Sequence, residues 1–393
     1  MDSNFIEIDF TQVNKKKNVV CGDVFISKKV KGENRIVSVL ADGLGSGVKA
    51  NVLASLTATM ACNYIINNID ILKAAKIILA TLPVCSFRKI GYSTFTITDI
   101  DRSGKARIIE YDNPEIMLVR DNQFIEMDKE IYCFKTSENR DVHIKYFETT
   151  LQLGDRLIFF SDGVTQSGMG KRAMPLGWDT DKIKRYIHDT FYLHPKISCK
   201  ELSRKIVNRS VKNDSGIAAD DITCASIHYR NPRRTIVITG PPFYEENDRK
   251  IALLAEGFEG KKIICGGTTS NILARELQLE MDVNIDDMRK NPDSPPTASM
   301  EGFDLVTEGT VTMNNALQIL KKKLTPTSND SAQKLVEHLL SSDVIHFIVG
   351  TKINPAHQDP NLPVELEIRR NLIRNLCNTL ENDYLKETKI TFF

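Results

Sequence analysis

Apolar residues fall in short bursts over the first 230 positions, then settle into a slower exchange of strand-like and helix-like stretches. Arg35–Ala41, Tyr92–Thr98, Ala106–Tyr111, Glu115–Arg120 and His143–Thr149 are short and rich in β-branched and aromatic residues, which predicts strands. Tyr92–Thr98 alternates with period two, as a strand with one buried face does. Val48 to about Asn67 lacks glycine and proline and predicts a long helix, with a second from about Asp70 to Leu82. A further helical pair is predicted around Lys182–Asp189 and Lys200–Lys212. Strands, then helices, then strands predict a mixed α+β domain built in layers rather than alternating βα units.

The texture changes at Arg230-Asn231-Pro232-Arg233-Arg234, a short polar stretch with a proline that reads as a linker. Beyond it, Thr235–Thr239, Lys262–Cys265, Leu305–Thr307 and Val344–Val349 read as strands. Asp248–Glu256, Asn271–Leu277, Met313–Lys322 and Glu365–Leu385 read as helices between and after them. That alternation predicts an α/β domain with a mostly parallel sheet. The expected division is therefore 1–230 and 231–393, with Asn291–Ser299 (NPDSPPTAS) expected to be a mobile loop.

A chain of 393 residues is too long for one ordinary core, which agrees with two domains. Lysine plus arginine number 52 and aspartate plus glutamate 51, so no global field favours nucleic acid or an anionic membrane. The N-terminal stretch MDSNFIEIDF has an acidic residue at position 2 and no apolar core, unlike a signal peptide. No apolar run approaches the roughly 18 residues of a membrane span. Eight scattered cysteines form no CxxC pair, and read as buried free thiols of a reducing compartment. A cytoplasmic protein that binds neither nucleic acid nor membrane is expected.

Four short sequences share a design: Cys21-Gly22-Asp23, Ala41-Asp42-Gly43-Leu44-Gly45-Ser46-Gly47, Phe160-Ser161-Asp162-Gly163-Val164 and Asp220-Asp221-Ile222-Thr223. Two apolar strands run straight into Asp42-Gly43 and Asp162-Gly163, while Asp220-Asp221 leads into the strand Ile222–Tyr229. A carboxylate at the edge of an apolar strand is costly unless neutralised, and several converging carboxylates raise one another's pKa. A divalent cation removes both penalties, and all-oxygen ligation selects magnesium, manganese or calcium over zinc. Gly43, Gly45 and Gly47 permit tight turning and close backbone approach. A lone Asp-Gly pair marks only a turn; two strand-terminal pairs and an Asp-Asp-x-Thr favour a metal site.

In order and spacing the four motifs resemble the protein phosphatase 2C superfamily, the metal-dependent protein phosphatases, over about residues 1–230. They look most like its bacterial branch, typified by sporulation stage II protein E and the phosphatases of general stress regulation. The resemblance implies a two-sheet β-sandwich flanked by helices, with two manganese or magnesium ions at one end. It implies that Asp42 bridges both ions, Gly43 ligates through its carbonyl, and Asp162 and Asp220 are further ligands. Asp221 occupies the neighbouring position, and Asp23 matches an acidic residue that reaches metal through water. The implied activity is that of a metal-dependent protein serine/threonine phosphatase, a phosphoric monoester hydrolase acting on phosphoproteins through a metal-activated water. Asp42 and Asp162 are its expected catalytic aspartates. In bacterial relatives the helix after the Asp-Gly turn, here about Val48–Asn67, acts as a switch; a rigid core helix is the alternative. Asp112-Asn113-Pro114 stands where many relatives have a glycine-containing turn. The family's eukaryotic members hold phosphate with an arginine near the N-terminus; the nearest basic cluster here, Lys15-Lys16-Lys17, reads as a solvated hairpin tip rather than a phosphate clamp.

The second half resembles no assignable catalytic family. Its strand-like runs end in Thr239-Gly240-Pro241-Pro242, Gly266-Gly267-Thr268-Thr269-Ser270, Thr307-Glu308-Gly309-Thr310 and Gly350-Thr351. In a parallel sheet these ends share one edge, where open α/β domains bind ligands. Gly266–Ser270 also opens a helix, whose free amides suit an anion. A small anionic ligand held by Gly266–Ser270 and Glu308–Thr310 is one reading; helix caps and turns are the other. His346 reads as a satisfied core histidine and His357 as loop decoration. The sequence thus predicts a phosphoprotein phosphatase with a regulatory C-terminal domain. A phosphatase-fold binding protein with negligible turnover and a small-molecule phosphatase are the alternatives.

Overall fold

The computed structural model describes residues 4–16, 18–30, 33, 35–82, 93–135, 141–283, 297–323, 330–352 and 362–393, the side chains of 362–368 excepted. Backbone proximity divides the chain into two compact units, Met1–Asn231 and Pro232–Phe393.

The first unit runs β1 (Phe5–Val13), β2 (Asp23–Val30), β3 (Arg35–Gly43), α1 (Val48–Ile66), α2 (Ile71–Thr81), β4 (Ser93–Ile100), β5 (Lys105–Tyr111), β6 (Met117–Arg120), β7 (Gln123–Ile125), β8 (Glu130–Lys135), β9 (Asp141–Thr150), β10 (Arg156–Phe160), α3 (Asp162–Thr165), α4 (Thr180–Leu193), α5 (Cys199–Asn213) and β11 (Ile222–Arg230). Among the described residues its strands form two sheets, ordered β1-β11-β10-β6-β7 and β2-β3-β4-β5-β9-β8. Neighbouring strands are antiparallel throughout.

The burial of β3 shows the layering. Val37, Val39 and Ala41 join a cluster with Ala54, Ala58, Ile65, Ile71 and Ile78 of α1 and α2. Ile36 and Leu40 point the other way, into a cluster that holds Leu157, Phe159, Ala225 and Ile227 of the other sheet. A third cluster packs Ile158, Phe160 and Cys224 against Ile183, Ile187, Leu202 and Ile206 of α4 and α5. Strands buried on both faces need no polar alternation, which is why Ile36–Ala41, broken only by Ser38, and Leu157–Phe160 are apolar runs. The buried face of α1 includes Ala50, Ala54, Ala58 and Ala61, side chains short enough to let a helix lie close on a sheet. Each fully buried isoleucine or leucine contributes about 1.5–3 kcal/mol.

The second unit runs β12 (Arg234–Thr239), α6 (Glu246–Glu256), β13 (Lys261–Cys265), α7 (Gly267–Leu277), β14 (Met281–Val283), β15 (Thr297–Met300), β16 (Leu305–Thr307), α8 (Thr310–Lys322), α9 (Ser331–Leu340), β17 (Val344–Val349), α10 (Leu362–Tyr384) and β18 (Glu387–Phe392). Its sheet order is β14-β15-β16-β13-β12-β17-β18. The pairs from β16 to β18 are parallel, and β14 and β15 add an antiparallel edge. Helices α8, α9 and α10 cover one face, α6 and α7 the other.

Two sequence expectations need correction here. Thr297–Ser299, read as part of a mobile loop, belongs to β15, which β16 templates through the pairs Thr297–Thr307 and Ala298–Val306. Four residues carry too little pattern to announce a strand. The rest of that stretch, 291–296, lies outside the described residues, as do His357 and Lys17. The chain also continues past α10 into β18, whose Thr391 Oγ1 meets His346 Nε2 at 2.8 Å. Burial lowers the pKa of His346 first, and Lys389 lowers it further. Among the described residues no helix is long and apolar enough to cross a membrane.

Candidate metal centre

Strand ends bring the four aspartate segments together. β2 begins at Asp23 and β3 ends at Asp42-Gly43, and their antiparallel register sets Asp23 opposite Asp42. β10 ends at Phe160, and Asp162 opens α3 two residues later. β11 starts at Ile222 beside the end of β10, with Phe160 paired to Cys224, so Asp220 and Asp221 arrive at the same end of the sheet. Asp23, Asp42, Gly43, Asp162, Asp220 and Asp221 all line one cavity of about 610 Å³.

Asp23 is 2% exposed. Its Oδ2 accepts from Ser161 Oγ and Thr223 Oγ1, each at 2.7 Å. Its Oδ1 is buried with no hydrogen-bond partner. Burial pushes this carboxyl up to about 7; the two hydroxyl donors oppose that, and the charges of Asp221 and Asp162 add to it. Asp42 is held well above the usual carboxylate range, by burial first and then by Asp23, Asp162 and Asp220. Asp162 is raised by burial and by Asp220. Asp42 and Asp162 each perturb the other's carboxyl, as expected of neighbouring acids in one cavity. Asp162 Oδ2 also accepts from Gln166 Nε2 at 2.6 Å.

Two glycines are required by close approach. A Cβ on Gly43 would stand 2.0 Å from the Ala50 carbonyl oxygen, and one on Gly163 would stand 2.0 Å from that of Asp221. Gly45 and Gly47 serve the turn instead, with φ of 108° and 72°.

The donor set fits a hard divalent cation. It is all oxygen, its carboxyls are destabilised as anions, and Asp23 Oδ1 is a buried acceptor with nothing to accept from. Among the described residues, however, no group of three or more His, Cys, Asp or Glu side chains is gathered closely enough to hold an ion as it stands.

Sequence reasoning missed part of the site. Lys15, read as a solvated turn tip, lines the cavity: its N–H donates to Asp221 Oδ1 at 2.8 Å and its Nζ to Asp220 Oδ1 at 3.2 Å. Lys16 stays exposed, as expected. The earlier reading fails for Lys15 because β1 pairs with β11, and that pairing, not a local hairpin, delivers Lys15 to the Asp220–Asp221 end. Asp112, in the left-handed region at φ 52°, lines the cavity too. Ser161 and Thr223 stand inside the quoted motifs, but their bonds to Asp23 span 138 and 200 positions.

In the second unit the strand ends named from sequence do come together. Gly266 N–H donates to the Thr307 carbonyl at 2.8 Å, and a Cβ on Gly309 would stand 3.4 Å from the Gly266 Cα. Helix α7 starts at Gly267 with no side-chain cap, so Gly267, Thr268, Thr269 and Ser270 form its first turn. Thr269 Oγ1 is buried without a partner, while Ser270 Oγ donates to the Gly267 carbonyl. Glu308 turns back on its own helix, accepting from Val311 N–H at 3.1 Å and Thr312 N–H at 3.4 Å near Thr310.

Two antiparallel sheets, each backed by helices, with an aspartate-lined cavity at their strand ends, define an α+β domain with an acidic oxygen-donor site. The chain belongs to the stage II sporulation protein E (SpoIIE) family, whose model matches residues 32–230. Solved structures similar to it include the PP2C phosphatase domain with a fragment of the regulatory domain of SpoIIE from Bacillus subtilis, at 17% identity and TM-score 0.48. That match covers 59% of this chain and 65% of the other, so the chain spans less than two thirds of that structure's length. The phosphatase domain of the same protein in another crystal form matches at 18% identity and TM-score 0.45, over 59% of this chain and 95% of that one. The RsbU and RsbW domains of a Mycobacterium tuberculosis protein match at 16% identity and TM-score 0.47, over 65% and 68%. No curated protein matches the chain.

Proposed function

We propose that residues 1–230 form a metal-dependent protein serine/threonine phosphatase, with Asp42, Gly43, Asp162, Asp220 and Asp221 holding two manganese or magnesium ions and Asp23 supporting them. The observation that carries this reading is the meeting of four sequence-distant aspartate segments in one cavity. Membership of the SpoIIE family supports it.

Bound there, the ions would supply an activated water and neutralise charge on phosphoryl oxygens. The chain's own residues supply placement. Ser161 and Thr223 orient Asp23 through its Oδ2 and leave its Oδ1 free. Gln166 orients Asp162. Asp42 and Asp162 are both raised, so a cation that takes them as carboxylates would compete with protons. Gly43 brings β3 against the first turn of α1, which ties the site to that helix and gives the switch reading a physical route. The second unit is proposed as a regulatory domain, with the strand ends at Gly266–Ser270 and Glu308–Thr310 as its ligand edge. The unpartnered Thr269 hydroxyl supports that assignment.

Manganese-dependent hydrolysis of phosphoserine and phosphothreonine peptides, compared with small phosphate esters, tests the reading. Turnover of peptides above esters is expected. Turnover of esters alone favours a small-molecule phosphatase, and metal binding without turnover favours a binding protein.

A further inference from the structure

Helix α7 opens at the end of β13 with Gly267 and Thr268 facing solvent. Among the described residues no side chain caps it. The amides of Gly267, Thr268 and Thr269 precede the first intrahelical bond, which Ser270 N–H makes to the Gly266 carbonyl at 2.9 Å. Thr269 itself is 3% exposed, and its Oγ1 is buried with no hydrogen-bond partner. That hydroxyl is aimed into the turn, 3.1 Å from where a Cβ on Gly266 would stand. A buried hydroxyl left unpaired costs stability, so the fold gains nothing from it as it stands.

Gly267 carries the same mark. Its φ lies outside the left-handed region, and a Cβ there would meet no atom within 4 Å among the described residues. Neither backbone conformation nor packing calls for glycine, and alanine is the better helix former. A bare Cα does let another molecule come close to the amides. The first turn of α8 lies beside this one, since a Cβ on Gly309 would stand 3.4 Å from the Gly266 Cα. There Glu308 Oε2 accepts from Val311 and Thr312 N–H. One of two adjacent helix N-termini thus already holds an anionic oxygen of the chain itself, and α7 keeps its positive end open. Three amides fanned around a helix axis, with a hydroxyl beside them, match the three oxygens of a phosphoryl group better than the flat pair of a carboxylate.

We propose that the N-terminal turn of α7 is a phosphoryl subsite. It takes free phosphate, or the phosphate group of a small monoester, on the amides of Gly267, Thr268 and Thr269 and on Thr269 Oγ1, with Glu308 fencing its α8 side. The proposal rests on the reading of this edge as the second unit's ligand edge and names the chemistry of the ligand. It is a binding site only; no covalent bond is made or broken there.

Calorimetry on the full chain tests this, with a chelator present so that phosphate finds no ion in the aspartate cavity. The probes are inorganic phosphate, glycerol 3-phosphate and adenosine 5′-monophosphate, with acetate for comparison. Wild type should bind a phosphoryl probe more tightly than acetate, and the tightest of the three tells the free ion from an ester. Thr269→Val should bind that probe about 10-fold more weakly, yet melt no lower than wild type without it, because a methyl replaces an unpaired hydroxyl. Gly267→Ala should also bind more weakly without melting lower. Glu308→Gln keeps an acceptor for the α8 amides, removes a negative charge, and should bind about 3-fold more tightly. A Thr269→Val chain that melts lower and binds unchanged makes the hydroxyl structural and overturns the proposal. Phosphate binding that neither Thr269→Val nor Gly267→Ala weakens overturns it as well. Acetate preferred to phosphate, with the same losses in both variants, overturns the phosphoryl class and leaves the edge an anion site. Wild type that binds none of the four overturns both the subsite and the anionic-ligand reading of this edge.

Discussion

Asp23 and Asp42 face each other across the β2–β3 ladder, one at the first residue of its strand and the other one residue from the end. This register sets two aspartates directly opposite each other on neighbouring strands. Asp23 answers by taking two hydroxyl donors, and Asp42 is held well above the usual carboxylate range. The cavity is therefore costly to fold and chemically poised, the usual compromise at a functional site.

Asp42→Ala and Asp162→Ala should each abolish manganese-dependent phosphate release, a loss of at least about 100-fold. Neither change should destabilise the metal-free fold, because each removes one member of a repelling set. Phosphate release and metal-free melting temperature check both halves. Full turnover in both variants would refute the site.

The pH dependence of metal-free stability follows from Asp23. Its carboxyl is raised from 3.8 to about 7, so the folded state holds a proton that the unfolded chain has lost. That contribution is complete below about pH 4 and disappears as pH rises through about 7. Metal-free protein should melt lower at pH 8 than at pH 5.5, and Asp23→Asn should reduce the difference, by an amount on the order of 2 kcal/mol. Manganese should raise the melting temperature most at the alkaline end, since it replaces the lost protons. A wild-type melting temperature independent of pH between 5 and 8 would count against this account.

Gly43→Ala should cost about 1–3 kcal/mol or more, because the new methyl would overlap the Ala50 carbonyl and push β3 away from α1. Gly45→Ala meets no neighbouring atom and should suffer only the strain of its positive φ. Denaturant midpoints and manganese affinity compared across the pair will separate contact from turn geometry. Equal effects would mean that the close approach at Gly43 is unimportant.

A chain ending at Asn231 should fold and keep metal-dependent activity, because the first unit's hydrophobic clusters are made from its own strands and helices. Regulation by any ligand of the second unit should be lost. Circular dichroism with phosphopeptide turnover is the check, and a well-folded but inactive fragment would assign the second unit a part in catalysis.

Local chemistry wrote much of this protein into its sequence. Asp42-Gly43 and Asp162-Gly163 at the ends of apolar runs announced both the strands and the donor oxygens, because a carboxylate is tolerated beside a core only with compensation. The period change near Arg230 marked a new kind of domain, since strand-helix alternation reflects a parallel sheet wherever it occurs. Tertiary structure alone decided what lies across the gaps. The β1–β11 pairing carries Lys15 to Asp220 and Asp221 over 205 and 206 positions. The β10–β11 pairing sets Ser161 beside Thr223, where both hydroxyls can reach Asp23. No local pattern encodes such meetings, because register between distant strands is chosen by the burial of both whole faces, and side chains at the strand ends are carried along.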